Sequence, residues 1–218
     1  MNIIDLSLTI DNTCMTCGTH WHTKVDIKPL GTLADVGRNT SRFVLGSHTA
    51  THMDAPLHFI PGAHGIDTVN LDVCTGEVTC VDFRDITAGE QVTLQRVKDI
   101  SVTERMLFVF GWNKNWKKDN YYQDFPFFTY EAISYMLDHG MKFIAMDTPS
   151  PDTGSAINEK DDSPNHKLML KKDVVIVEYL TNTELIDFSK KYEIFALPLK
   201  IADADGSPAR VILREVIV

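Results

Sequence analysis

The chain has 218 residues, of which 44% are hydrophobic, and a formal net charge of −9, so it can build the packed core of a globular domain. Its basic residues are scattered apart from short pairs such as Lys117-Lys118, which argues against a nucleic-acid partner. The sequence contains neither a signal peptide nor the roughly 18 to 20 apolar residues of a membrane helix, so we expect a cytoplasmic protein with a small-molecule partner and no membrane contact.

Alternating apolar and polar residues predict half-buried strands at residues 3–10 and 42–48. Continuous apolar runs predict more deeply covered strands at residues 106–112, 142–147, 173–180, 194–201 and 209–218. Residues 129–140 predict a helix, because Thr129 can cap its first turn and Gly140 can end it. A second helix is predicted at residues 93–100, with short helical turns at 66–72 and 182–191.

Strands and helices are mixed along the chain, and neither a repeat nor a low-complexity linker divides it. We therefore expect residues 1–218 to form a single α/β domain. Two long irregular stretches remain, at residues 11–41 and 147–172. Stretches of that length inside a compact domain are usually functional or disordered, so both are candidates for residues of a functional site.

Residues 48–58 read HTATHMDAPLH and contain three of the eight histidines. His52 and Asp54 are two residues apart in an extended segment before Pro56, so their side chains can point to the same side. His48 ends the strand predicted at residues 42–48, and a turn after it can return its side chain to the other two. Two imidazoles and one carboxylate can then hold a metal ion that keeps an open coordination position.

Two further residues are candidates for a second metal position. Glu178 lies near the end of the apolar run 173–180, where a carboxylate is costly unless it is paired or bound to a cation. His166 lies in the second irregular stretch, ahead of that run. A cation held between these side chains would remove the cost of burying Glu178.

The segment 48–58 resembles the signature of the putative cyclase family of metal-dependent hydrolases, which includes bacterial kynurenine formamidase and isatin hydrolase: His-x-Gly-Thr-His-x-Asp-x-Pro-x-His. The one difference is Ala50 in place of glycine, and alanine fits there unless the turn requires positive φ. The resemblance continues in residues 146–152, in His166 and Glu178, and in residues 205–214, so it covers most of the chain.

The resemblance implies a fold, a metal centre and an acid/base residue. The fold is an α/β domain of layered mixed β-sheets with flanking helices, of the swivelling β/β/α type, in a homodimer or higher homo-oligomer. His58 is implied as the catalytic acid/base. The implied metal ligands are His48, His52 and Asp54 at the first position, and Asp54, His166 and Glu178 at the second. Such sets suit Zn²⁺ and Mn²⁺ alike, so we expect one or two of these ions per subunit.

The implied activity is hydrolysis of the C–N bond of a small amide, such as an aryl formamide, a lactam or a related cyclic amide, by metal-activated water. His58 would carry a proton from the attacking water to the leaving nitrogen. The alternative is a non-catalytic metal-binding or metabolite-binding protein that retains the fold. An open coordination position and a His58 that binds no metal would favour the enzyme.

The loop at residues 14–22, CMTCGTHWH, departs from the aromatic-Pro-Gly-Asp segment that family members often carry there. By analogy with that segment, His20, Trp21 and His22 are candidate substrate contacts, and the departure leaves open whether kynurenine formamide is the substrate. Cys14 and Cys17 are expected to be reduced, because the chain has no secretion signal. Two alternatives stay open: a Cys2His2 zinc site with His20 and His22, and a thiol-redox pair.

Overall fold

The computed structural model describes residues 3–154 and 162–216. Its strands are Ile3–Asp5 (β1), Asp26–Gly31 (β2), Thr40–Val44 (β3), His52–Asp54 (β4), Thr75–Asp82 (β5), Gln91–Val92 (β6), Arg105–Val109 (β7), Phe127–Phe128 (β8), Phe143–Met146 (β9), Val175–Glu178 (β10), Tyr192–Pro198 (β11) and Gly206–Glu215 (β12). Its α-helices are Leu33–Val36 (α1), Leu94–Lys98 (α2), Tyr130–Asp138 (α3) and Pro164–Leu170 (α4). Short 3₁₀ helices include Pro56–His58, Ile66–Thr68, Trp112–Asn115 and Thr183–Leu185. The predicted α/β class is confirmed.

One mixed sheet has eight strands, in the order β1-β12-β11-β5-β7-β9-β10-β4. β4 is antiparallel both to β10 and to the first residues of β12, so the sheet closes on itself like a barrel. β2 pairs with β3, and β6 pairs with β8, in two small separate sheets. The expected mixed sheets are therefore present, and β4, three residues long, is the strand that closes the largest of them.

The two faces of the large sheet pack in different cores. Alternate strand residues such as Met53, Leu107, Ala145 and Val177 form one core. Their neighbours on the opposite face, such as Phe108 and Ile144, pack together with residues of α2, α3 and α4. Two-residue periodicity thus sends one set of side chains away from the helices and the other set beneath them.

The helix predicted at residues 129–140 is confirmed as α3. The Thr129 side chain accepts a hydrogen bond from the Ala132 backbone N–H, which caps the first turn. Ile133 and Met136 are buried on its inner face. Gly140 follows with φ of 93°, a conformation that favours glycine and ends the helix. No described helix is long and apolar enough to cross a bilayer.

Several predicted boundaries are wrong. The strand predicted at residues 3–10 ends at Asp5. Beyond that point backbone groups form hydrogen bonds with side chains as well as with a neighbouring strand; the Leu8 backbone N–H, for example, donates to Thr51 Oγ1. The strand predicted at residues 42–48 ends at Val44, so His48 lies in the turn beyond it and not at its end. The two irregular stretches also contain regular elements, β2 and α1 in the first and α4 in the second.

Candidate functional site

The candidate metal ligands meet on the helix-covered face of the sheet. His52 on β4 is paired in register with Glu178 on β10, and Asp54 points to the same side because it lies two residues further on. α4 brings His166 over them, and the turn before β4 brings His48. The structure therefore brings together all of the residues that the sequence analysis proposed as ligands, although their role as ligands remains a prediction.

Asp54 lies at the centre of this group and is 1% exposed. Its Oδ1 is 2.8 Å from His48 Nδ1 and 3.3 Å from His52 Nε2. Its Oδ2 is 3.4 Å from His166 Nε2. Glu178 spans the same two sides, with Oε2 3.4 Å from His52 Nε2 and Oε1 3.1 Å from His166 Nε2. The two carboxylates thus lie between two histidine-lined positions.

Each of the three histidines has an acceptor outside the group for its other ring nitrogen. His52 Nδ1 is 2.8 Å from the Ala50 carbonyl, and His166 Nδ1 is 2.7 Å from Asp152 Oδ2. His48 Nε2 is 2.8 Å from Asp205 Oδ2. A neutral imidazole carries one N–H, so each ring can donate it to its outer partner and present the lone pair of its other nitrogen to Asp54.

This arrangement fits a cation. Both oxygens of Asp54 are buried without a hydrogen bond from any described residue, which is costly for an ionised group. Lone pairs of imidazoles and carboxylates converge there and repel one another unless positive charge lies between them. Nitrogen and oxygen donors of this kind suit a divalent ion such as Zn²⁺ or Mn²⁺.

The pKa values of His48 and Glu178 are both raised, as expected where negative charge exceeds positive charge. Burial would lower the pKa of His48, but the carboxylates of Asp54 and Asp205 outweigh it and raise that pKa to about 10. Burial raises the pKa of Glu178, and the neighbouring charge of Asp54 raises it further, while His166 opposes the shift. Protonation of His48 and Glu178 would therefore reduce the repulsion within this group when no cation is bound.

His58 lies beside the group in the 3₁₀ helix Pro56–His58. Its ring centroid is 3.9 Å from that of His48, and its Nδ1 is 3.3 Å from Asp205 Oδ2. Burial lowers the pKa of His58 and proximity to His48 lowers it further, against the effect of Asp205. His58 is close enough to His48 and Asp54 for all three to share an ion, so the geometry also permits His58 as a ligand.

Two acidic residues support the histidines, and the sequence analysis gave neither a role. Asp152 accepts hydrogen bonds from the backbone N–H groups of Asn165 and His166 through separate oxygens, besides its bond to the His166 ring. Asp205 Oδ2 contacts both His48 and His58. Both lie in segments that carry the family resemblance, which was the available signal. Because they are distant from the histidines along the chain, their contacts with the histidine rings could not be inferred from local sequence patterns.

Asp152→Asn should weaken metal binding about 10- to 100-fold, the usual effect of losing an acceptor behind a metal-binding histidine. The amide nitrogen would face N–H donors of His166 in place of a carboxylate oxygen. Titration of metal-free protein with Zn²⁺ or Mn²⁺ measures the change. Asp138→Asn, on an exposed carboxylate at the end of α3, is the control. Equal metal affinities in the two variants would contradict this role of Asp152.

Ala50, which stands where the family signature has glycine, adopts a backbone conformation that favours glycine. Ala50 has φ of 54°, in the left-handed region, so the turn does require the conformation that glycine adopts freely. Its carbonyl receives the His52 ring proton, which turns the other nitrogen of that ring toward Asp54. The chain thus holds an alanine in a strained conformation at a residue that orients a candidate ligand.

Ala50→Gly should stabilise the protein by about 1 kcal/mol, the usual cost of the left-handed conformation for a residue with a Cβ. For a chain of this length that corresponds to roughly 2 to 4 °C in Tm. Thermal unfolding of metal-free protein measures it. Ala55→Gly is the matched control, because Ala55 has φ of −103° and should lose stability. A lower Tm for Ala50→Gly would contradict the strain.

A pocket of about 270 Å³ opens over this group. His58 lines it together with the aromatic residues Trp21, Phe59, Tyr122, Phe125 and Tyr179. Of the candidate substrate contacts, the structure places Trp21 and His22 in the wall, whereas His20 is exposed and packs edge-on against Trp21. The pocket is thus bounded by candidate ligands on one side and aromatic rings on others.

The Cys2His2 alternative lacks support in the geometry. Cys17 Sγ is 2.7 Å from His22 Nδ1. Within residues 3–154 and 162–216, however, the sets of three or more donors close enough to share an ion are His48 with Asp54 and His58, and His52 with Asp54 and Glu178. Cys14 and Cys17 belong to neither set, and the thiols are free in the structure.

Comparisons with known proteins identify relatives along most of the chain. The family described as "Putative cyclase" matches residues 4–153. A kynurenine formamidase of Erythrobacter litoralis (strain HTCC2594) is 33% identical over 177 residues, which cover 81% of this chain and 77% of that protein. Kynurenine formamidases of Bacillus species are also similar, at 26% identity for that of Bacillus mycoides (strain KBAB4), over 82% of this chain and 81% of the relative.

Solved structures share the fold. An isatin hydrolase bound to the product analogue thioisatinate has a TM-score of 0.85 at 21% identity, over 99% of this chain and 92% of that one. A predicted metal-dependent hydrolase from Bacillus stearothermophilus has a TM-score of 0.74 at 22% identity, with 97% of each chain covered. The family match spans more than half of the sequence and includes the His/Asp motif of residues 48–58. On these grounds the chain belongs to the putative cyclase family.

Proposed function

We propose that this protein hydrolyses the C–N bond of a small aromatic amide, either an aryl formamide or a lactam of the isatin type. The observation that carries the proposal is the buried Asp54, whose two oxygens accept no hydrogen bond from the residues that the structure describes, while ring nitrogens of three histidines face them. A divalent ion could be held among these side chains, of which His52, Asp54 and Glu178 lie close enough to share one. Such an ion would supply an activated water and polarise the substrate carbonyl.

The chain's own residues account for the other parts of the reaction. Asp205 accepts a hydrogen bond from His58 Nδ1–H, which leaves His58 Nε2 free to take a proton from water. His58 then returns the proton to the nitrogen that leaves. The aromatic wall excludes water from the rest of the pocket and packs on a flat substrate.

Relatives support the substrate class. The formamidase relative acts, by its name, on kynurenine formamide, and the shared fold of the isatin hydrolases adds a cyclic amide as a second candidate. The predicted class, a metal-dependent hydrolase of C–N bonds outside peptides, is confirmed by these relatives. The identity of the ion as Zn²⁺ or Mn²⁺, and the number of ions, belong to the proposal.

A panel of amides tests the proposed reaction. Protein supplied with Zn²⁺ or Mn²⁺ should hydrolyse kynurenine formamide or isatin and leave a peptide and an aliphatic ester unchanged. Hydrolysis is followed by absorbance, and the released product is identified by mass. A protein that binds the metal tightly but turns over no formamide and no lactam would instead support the alternative, a metal-binding protein without catalysis.

We also propose that the protein forms a homodimer or a higher homo-oligomer. The hairpin of β2 and β3, with α1 between its strands, exposes the large apolar side chains Leu30, Leu33, Val36 and Phe43. An exposed apolar group of this size is typical of a protein–protein interface. A second copy of the chain is the partner that the family resemblance implies.

Phe43→Glu should shift the protein toward the monomer. Phe43 is 65% exposed in the single chain, so glutamate costs the monomer little but places a charge in the proposed interface. Sedimentation or light scattering measures the mass. Leu185→Glu is the control, because Leu185 is similarly exposed at 60% but lies in the 3₁₀ helix Thr183–Leu185. A Phe43→Glu protein that keeps the wild-type oligomeric mass would contradict the assignment of the interface to this hairpin.

A further inference from the structure

The N-terminal loop places a cysteine–histidine pair in the pocket wall, and the proposed reaction does not use it. Cys17 Sγ lies 2.7 Å from His22 Nδ1 and 3.3 Å from Thr19 Oγ1. Cys17 and His22 line the same pocket as His58. A molecule that enters the pocket can therefore reach the sulfur, which has an imidazole beside it to take its proton.

The other cysteines have different surroundings. Burial raises the pKa of Cys74 to about 11 and that of Cys80 to about 12, and no histidine among the described residues contributes to either shift. Cys14 Sγ is 3.3 Å from the Asp11 backbone N–H and contacts the Thr9 carbonyl, and burial raises the pKa of this thiol as well. The thiolate is the nucleophilic form of cysteine, so these thiols are poor nucleophiles.

Cys17 is the exception among the four. Burial tends to raise the pKa of its thiol, but the contacts with His22 and Thr19 outweigh burial and lower it. A cysteine beside a histidine, partly exposed in a cleft, is the environment in which reactive thiols occur. The pocket supplies a second requirement, since its aromatic walls can hold a small electrophile beside the sulfur.

We propose that Cys17 is a covalent modification site, at which a soft carbon electrophile that enters the pocket is captured by the sulfur and obstructs access to His58. With iodoacetamide as the electrophile, the sulfur forms a bond to the methylene carbon. The carbon–iodine bond breaks, and iodide leaves with the bonding electron pair. The thiol proton passes to His22 Nδ1. The attached acetamide then occupies part of the pocket of about 270 Å³.

Iodoacetamide labelling, followed by peptide mass mapping over time, tests the reactivity. In wild-type protein Cys17 should react about tenfold faster than Cys14 or more, because only a few per cent of an ordinary thiol is ionised at pH 7. Cys74 and Cys80 should stay unlabelled in the folded protein. Equal labelling rates at Cys17 and Cys14 in wild-type protein would by themselves overturn the proposal.

His22→Gln separates the effect of the imidazole from simple exposure. Labelling at Cys17 should slow about tenfold, while the rate at Cys14 stays the same and shows that the loop keeps its structure. Wild-type reactivity of Cys17 in this variant would contradict the role of His22. Cys17→Ser provides the control without the thiol.

Obstruction of the pocket is measured without turnover. Diethyl pyrocarbonate modifies accessible histidines, and its rate at His58 is followed by peptide mapping before and after Cys17 is alkylated. We expect that rate to fall several-fold in wild-type protein and to be the same before and after treatment in Cys17→Ser. An unchanged rate at His58 in fully alkylated wild-type protein would overturn the obstruction. Neither measurement depends on the proposed amide substrate.

Discussion

Asp54→Asn should yield a folded protein that binds no divalent metal and has no measurable hydrolase activity. The asparagine amide lacks the charge of the carboxylate that lies between the histidines. In metal-free protein the substitution also removes the charge that pairs with protonated His48, so the metal-free variant should be less stable than metal-free wild type. Metal content by elemental analysis and thermal unfolding in chelator measure the two effects.

Asp147→Asn is the matched control, because Asp147 is equally buried but fully hydrogen bonded. Its oxygens accept from the backbone N–H groups of Phe110 and Gly111 and from Thr183 Oγ1. An amide nitrogen there would face a donor, so this variant should lose about 1–3 kcal/mol of stability and keep its metal. Metal content at the wild-type level in Asp54→Asn would contradict the proposed centre.

His58→Ala should retain metal and lower kcat by about 10² to 10⁴, the usual contribution of a positioned acid or base. His58 faces the pocket and contacts Asp205, whereas the histidines and the glutamate predicted as metal ligands surround Asp54. Metal content and kcat are measured on the same preparation. His64→Ala is the control, since His64 lies six residues further on, is partly exposed, and bonds Asp173.

The same variant decides between two roles that the geometry permits. His48, Asp54 and His58 are close enough to share an ion, so His58 could be a ligand rather than a free acid/base. A His58→Ala protein that loses metal as Asp54→Asn does would establish the ligand role. Full activity in this variant would exclude both roles.

The sequence was most informative where contacts are local. Alternation along β4 put His52 and Asp54 on one side, and capping at Thr129 with apolar spacing predicted α3; the structure agrees on both points. The cost of a carboxylate in an apolar strand also singled out Glu178, which lies opposite His52 in the neighbouring strand. These inferences need only the periods of strands and helices and the energetics of burial.

The sequence was least informative where distant segments meet. The contacts of Asp205 with His48 and His58 join residues that are far apart in the chain, and composition does not report such contacts. β5 is rich in polar residues, and the predicted elements include no strand there. The positive φ of Ala50 arises from the turn into β4, which pairs with a strand on each side. From the sequence it followed only that alanine fits there unless the turn requires positive φ.

Removing and restoring the metal tests whether hydrolysis depends on a divalent ion bound beside Asp54. Wild-type protein is dialysed against a chelator, assayed with kynurenine formamide and isatin, then resupplied with Zn²⁺ or Mn²⁺ and assayed again. We predict that hydrolysis disappears with the metal and returns with a divalent ion in wild type but not in Asp54→Asn. Undiminished hydrolysis by metal-free protein, or restoration in Asp54→Asn equal to that in wild type, would contradict it.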